Sequence, residues 1–137
     1  MHSCSFECKN ALPEIAASLP EHYPFLLDSA TSGPLSGYSL LLRTSGEQLC
    51  LHAQGHISGP GNGDDFLNRL NRWYQREKQG EDRSIAWPFT GGWFIYLGYE
   101  LAAAIEPVVD FPAANDGFPI AFASRCRGAV YSIPEQP

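Results

Sequence analysis

One segment, Asp64 to Lys78, carries the 3.6-residue periodicity of an amphipathic helix, and the chain on either side is cut into strand-length pieces. Phe66, Leu67, Leu70, Trp73 and Tyr74 recur at three- and four-residue spacings and predict its buried stripe. Asn62 or Asp64 suits the N-cap, and acidic residues in the first turn complement the helix dipole. Arg69, Arg72, Arg76 and Lys78 read as a solvated face, and Gly80 as the stop. Gly55 to Gly63, with four glycines and Pro60, reads as an exposed loop feeding this helix.

The remaining pattern is mostly extended. Tyr23 to Ser29 is an apolar run closed by polar residues, a strand, followed by a loop at Thr31 to Ser36. Tyr38–Arg43 and Gln48–Ala53 read as two strands of a hairpin, with Thr44 to Glu47 as its turn and Gly46 free to take positive φ. Trp93 to Leu97 is dense in aromatic and β-branched residues, as a buried strand is, and Gly91-Gly92 before it leave room for a close approach. Glu100 to Ile105 suggests a short Ala-rich helix stopped by Pro107. A loop at Phe111 to Phe118 precedes two last strands, Pro119–Ser124 and Gly128–Ser132. Near the N-terminus, Leu12, Ile15, Ala16 and Leu19 make one stripe of a two-turn helix between Pro13 and Pro20. Strands interrupted by isolated helices predict an α+β fold with antiparallel sheet.

Composition narrows the class. At 137 residues, 44% hydrophobic and 18% charged, the chain can bury a core without metal or disulfide staples. Nine Lys and Arg against fifteen Asp and Glu give a net charge of −6, opposite in sign to a phosphate-contacting nucleic-acid binder. Five of the nine basic residues lie between Arg69 and Arg83, but Asp64, Asp65, Glu77, Glu81 and Asp82 balance them, so no nucleic-acid partner is expected. No apolar run approaches the roughly 18 to 20 residues of a membrane span. The first twenty residues lack a basic start followed by an apolar run, so the expected location is the cytoplasm and no membrane partner is implied. Cys4, Cys8, Cys50 and Cys126 are then expected as free thiols.

Most candidate chemistry reduces to structure. His52 and His56 are four apart with Cys50 nearby, but Gly55, Gly59 and Pro60 oppose the helix that would make this spacing chelate, so the pair reads as surface histidines. His2, Cys4 and Cys8 read as N-terminal residues rather than preorganised ligands. The Gly55–Gly63 loop lacks the Lys-Ser/Thr ending of a phosphate-binding loop, and there is no Gly-x-Ser-x-Gly elbow. Asp28-Ser29 at a strand end has two readings. One is a turn-forming pair. The other is a carboxylate and hydroxyl that hold the ammonium of a small zwitterion under aromatic cover.

From Pro88 to Pro107 the chain reads PFTGGWFIYLGYELAAAIEP, which resembles a segment of the N-terminal domain of the chorismate-utilising synthases, anthranilate synthase component I and aminodeoxychorismate synthase component I. Phe89, Gly91, Gly92, Tyr96, Gly98, Tyr99, Glu100 and Leu101 carry the likeness, and Pro24-Phe25-Leu26-Leu27-Asp28-Ser29 resembles the family's Leu-Leu-acid-Ser segment. The likeness covers roughly residues 23 to 131 and implies an N-terminal segment, 1–22, before an N-terminal domain of that fold over 23–137. It implies tryptophan binding at Leu27, Asp28, Ser29 and Tyr38, with Asp28 pairing the ammonium, Ser29 hydrogen-bonding it and Tyr38 packing on the indole. It places the chorismate site, the magnesium ligands and the catalytic residues in a C-terminal domain absent from these residues. No catalytic residue and no cofactor are therefore expected in this chain. A glutamine amidotransferase subunit is the partner implied for the parent enzyme. Trp93 and the Tyr96-Leu97-Gly98-Tyr99-Glu100 run resemble the aminodeoxychorismate synthase (p-aminobenzoate) branch more, with the anthranilate branch and a stand-alone small-molecule-binding module as the alternatives.

Overall fold

A computed structural model describes residues 11–29, 37–78, 88–102 and 117–132. The fold is α+β. Its elements run α1 (Leu12–Ser18), β1 (Phe25–Leu27), β2 (Ser39–Leu51), β3 (Ile57–Ser58), α2 (Phe66–Glu77), β4 (Gly92–Leu97), a 3-10 turn (Tyr99–Leu101) and β5 (Ala121–Ser132). The five strands form an antiparallel sheet in the order β1-β2-β5-β4, with β3 also pairing to β2.

Two compact units share the chain, and β2 and β5 contribute residues to both. The first holds α1, β1, β2 up to Gly46 and β5 from Arg125. Here β1 pairs antiparallel to β2 with Phe25 opposite Leu42 and Leu27 opposite Leu40. Leu41, Leu42 and Cys126 are buried, and α1 lies against β1 without burying a residue of its own. Arg125 is buried too, and its Nη1 donates to the carbonyls of Gly92 at 2.7 Å and Cys126 at 3.0 Å, so the guanidinium replaces its lost water with backbone acceptors.

The second unit holds the rest of β2, β3, α2, most of β4, the 3-10 turn and the start of β5. Its core is Leu49, Phe66, Trp73, Leu101, Ala121 and Ala123. The small residues Ala121 and Ala123 leave space for the large rings of α2. Trp73 Nε1 donates to Glu77 Oε1 at 2.7 Å one turn on, so the buried indole keeps its polar end satisfied. Trp93 meets both Trp73 and Tyr74 edge-to-face, with centroids 5.7 and 5.6 Å apart.

Several expectations are corrected. The hairpin over Tyr38–Ala53 does not form: β2 runs unbroken from Ser39 to Leu51, and Gly46 spends its φ of 85° inside the strand. Thr44 Oγ1 accepts from Gly46 N at 3.0 Å, so the turn chemistry is absorbed as a local kink. The two last strands are likewise one, Ala121–Ser132. The Gly55–Gly63 loop is not wholly irregular, because it contains β3.

Asp65, rather than Asn62 or Asp64, caps α2, accepting from Asn68 N at 2.8 Å. Of the expected α2 stripe, Phe66 and Trp73 are buried, while Leu67 and Tyr74 are exposed. Arg69 does not simply face water: its Nε donates to the Gly63 carbonyl at 2.9 Å. On β4, Trp93 and Phe94 are half-buried, but Ile95, Tyr96 and Leu97 are exposed. Gly91 is required by its φ of 116°, whereas a β-carbon at Gly92 would make only ordinary contacts. The close approach falls at Gly98 instead, where a β-carbon would stand 2.8 Å from the Ile120 carbonyl. The helix expected at Glu100–Ile105 is a 3-10 turn as far as Leu101, and its remainder lies outside the described residues from 103 on. The expectations for Thr31–Ser36, Gly80, residues 1–10 and most of Phe111–Phe118 also lie outside them.

Candidate functional site

The corner where β1 ends and β2 begins draws the sequence-predicted residues together. Continuing the register of Leu27 with Leu40 by one pair sets Asp28 opposite Ser39, and by two sets Ser29 opposite Tyr38. Ser39 Oγ donates to Asp28 Oδ1 at 2.6 Å and accepts from Ser29 N at 3.0 Å. One hydroxyl thus fixes the carboxylate and the backbone that follows it. Asp28 itself is exposed, and Ser39 engages its Oδ1.

The other two predicted residues sit beside this corner. Neighbouring pairs of an antiparallel ladder point to opposite faces, which puts Leu27 and Tyr38 on one side and Asp28 with Ser39 on the other. Leu27 is 47% exposed and Tyr38 45% exposed, both high for large apolar side chains. Tyr38 meets Tyr131 of β5 edge-to-face at 5.7 Å, which holds the ring upright. A ligand touching both sets must wrap the end of β1, the outer strand of the sheet path. Ser39 and Tyr131 were not in the sequence-derived set. Ser39 follows from the pairing of β1 with β2, and Tyr131 from the return of β5.

This corner can bind. A carboxylate oriented by a hydroxyl attracts an ammonium group, while Leu27, Tyr38 and Tyr131 offer apolar and aromatic surface to the rest of a small amphiphile. Among the described residues no group of three or more His, Cys, Asp or Glu is placed to hold a metal.

A concavity lies in the second unit, a shallow apolar groove of about 270 Å³ lined by Leu67, Leu70, Asn71, Tyr74, Trp93 and Ile95. Its lining carries the Asn71 amide, the Tyr74 hydroxyl and the Trp93 indole N–H but no charged side chain.

His52 and His56 come together after all, by a hairpin rather than a helix. Cys50 pairs with Ser58 and Leu51 with Ile57, and His52 N donates to the His56 carbonyl at 3.0 Å. The imidazoles stack with centroids 3.9 Å apart and planes within 6°. Parallel rings aim their in-plane lone pairs past one another, so this arrangement is a stacked pair and not a chelate. Cys50 is buried beside it, and desolvation raises its thiol pKa, which makes it a poor nucleophile.

No family model matches the chain, and no curated protein matches it. No helix among the described residues is long and apolar enough to cross a membrane.

Proposed function

We propose that the chain is the non-catalytic N-terminal domain of an aminodeoxychorismate synthase component I-like protein, and that it binds tryptophan at the Asp28 corner. The observation that carries this reading is the Asp28–Ser39–Ser29 hydrogen-bonded corner flanked by Leu27 and the Tyr38–Tyr131 pair. That combination offers what an aromatic zwitterion needs: a fixed carboxylate for the ammonium and ring surface for the indole. The motif likeness at Phe89 to Leu101 and at Pro24 to Ser29 supplies the parent family.

In the parent enzyme a separate C-terminal domain aminates chorismate at C4 with magnesium, toward p-aminobenzoate and folate, and a glutamine amidotransferase subunit supplies the ammonia. The chain does not turn over chorismate alone, and the cytoplasm is the compartment that fits this role. The anthranilate branch, where the same corner would act as a feedback site, is the alternative within the family. A stand-alone regulatory module is the alternative outside it. A third reading, a packing domain covered by the parent's catalytic domain, is favoured by the apolar side chains left open on β4 and by Tyr99 at 88% exposed.

Isothermal titration of the chain with L-tryptophan tests the proposal. Saturable one-site binding that is lost with indole-3-propionate, which lacks the ammonium, is the expected result. Equal binding of the two compounds would remove Asp28 from the site, and no binding of either would remove the corner as a ligand site.

A further inference from the structure

We infer that the end of β4 and the turn after it form a binding site for a guanidinium group. In the second unit three oxygens converge on Gly98. A β-carbon there would stand 2.8 Å from Glu100 Oε2, 2.8 Å from the Ile120 carbonyl oxygen and 3.3 Å from the Tyr96 hydroxyl. The backbone fixes this meeting. Gly98 N donates to the Ile120 carbonyl at 2.8 Å, and Leu101 N donates to the Gly98 carbonyl at 3.1 Å as the 3-10 turn closes. Continuing the first of these bonds back along the strands sets Tyr96 opposite Phe122, and their rings lie 5.4 Å apart with planes at 24°. Phe118 stands at right angles to Tyr96, 5.3 Å away. These two rings make a corner with aromatic walls, and both are open to solvent, Tyr96 at 37% and Phe118 at 50%.

The chemistry selects the ligand. Among the described residues the Glu100 carboxylate has no hydrogen-bond or ion-pair partner, and neither has the Tyr96 hydroxyl. Glu100 is half-buried, so its charge has given up part of its water without a counter-ion in return. A carboxylate and a carbonyl only accept, the Ile120 oxygen keeps a second lone pair, and a phenol oxygen accepts as well. The group that suits all three is a positively charged donor. Guanidinium fits better than ammonium. Its N–H bonds spread over a plane and reach several acceptors at once, and its weakly hydrated faces lie against aromatic rings such as those of Tyr96 and Phe118. The net charge of −6 adds a general attraction for cations.

This site uses none of the residues of the Asp28 corner and does not rest on the tryptophan reading. A free guanidino compound and an arginine side chain carried by a polypeptide present the same cation. They differ in whether the charges around the α-carbon take part.

Amide chemical-shift mapping of the whole chain by NMR tests this, with Nα-acetyl-L-argininamide as the probe and its neutral ureido counterpart, Nα-acetyl-L-citrullinamide, as the control. Saturable shifts at the Gly98 and Leu101 amides are expected with the arginine compound and not with the citrulline compound. Glu100→Gln is expected to weaken binding of the probe at least about tenfold, and Tyr96→Phe, which keeps the ring, about threefold. The spectrum of each variant reports its folding directly. Free L-arginine binding more tightly than the capped probe would assign the site to a small molecule, and equal or weaker binding to an arginine side chain; both outcomes support the proposal. Equal shifts with the neutral control, unchanged affinity in folded Glu100→Gln, or shifts confined to the Ser29 amide would overturn it. So would the absence of shifts at Gly98 and Leu101 in the unmodified chain.

Discussion

Ser39 holds Asp28 across the strand pair: its hydroxyl donates to the carboxylate at 2.6 Å and takes the Ser29 amide at 3.0 Å. The carboxylate therefore meets an incoming cation already oriented, so less side-chain freedom is lost on binding. Ser39→Ala removes the orienting bond but leaves the charge. Tryptophan affinity is expected to fall roughly tenfold, as for loss of one charge-assisted hydrogen bond. Calorimetric titration of the variant measures it, and an unchanged affinity would assign the hydroxyl to the turn alone.

Asp28→Ala removes the charge itself. Binding is expected to disappear, while stability changes by no more than about 1 kcal/mol, because an exposed side chain at a strand end loses one hydrogen bond. Asp28→Asn separates the two roles, since the amide still accepts from Ser39 without attracting an ammonium. Titration paired with urea denaturation reads both, and full affinity in the Asn variant would rule out the ion pair.

Trp73 is fully buried and hydrogen-bonded through its indole, whereas Leu67 on the same helix is 40% exposed. Trp73→Ala should cost about 3–5 kcal/mol, and Leu67→Ala under about 1 kcal/mol. Equal costs in urea denaturation would contradict the side of α2 assigned to the core.

Gly59 has a φ of 103°, and a β-carbon there would run into the Gln48 carbonyl. Gly59→Ala should destabilise the chain by about 2 kcal/mol or more, whereas Gly46→Ala meets open space and costs only its φ of 85°, about 1 kcal/mol. Comparing the two denaturation midpoints tests this ranking.

The Asp65 carboxylate is held below the usual carboxylate range, first by the hydrogen bond from the Asn68 backbone N–H at the start of α2. A pKa depressed in the folded state gives stability that is present above the unfolded value, near 3.9, and is lost as pH falls through the folded one. Asp65→Ala should therefore be less stable than the unmodified chain at pH 7, with the gap closing in strong acid. A gap that persisted at pH 2 would locate the effect in something other than the charge.

Local pattern made α2 legible through its period, whereas the N-cap fell to Asp65 and not to the expected Asn62 or Asp64, because which of several adjacent polar residues caps depends on where the backbone turns. The strand corrections share a physical cause. Thr44-Ser45-Gly46-Glu47 supplies the same residues to a tight turn and to a kink in a continuous strand, and only the neighbouring strands decide between them. Leu67 and Tyr74 fit the apolar period of α2, yet the core covers only the arc with Phe66 and Trp73. At the candidate site, Asp28 and Ser29 were visible as a polar pair closing an apolar run. Ser39 was not, since its place beside them depends on the register of β1 on β2. His52 and His56 were weighed against a helical template, and a hairpin met the same spacing by another route.

The glycines between β3 and α2 set a boundary on how this protein can vary. At Gly59 a side chain collides with the Gln48 backbone, and at Gly61 with the Arg69 carbonyl at 2.5 Å, both at positive φ. Backbone cannot step aside as a flexible side chain can, so drift in the surrounding sequence offers no easy compensation. When descendants of this sequence are gathered, these two positions are where the lineage should be recognisable after its surface has changed beyond alignment.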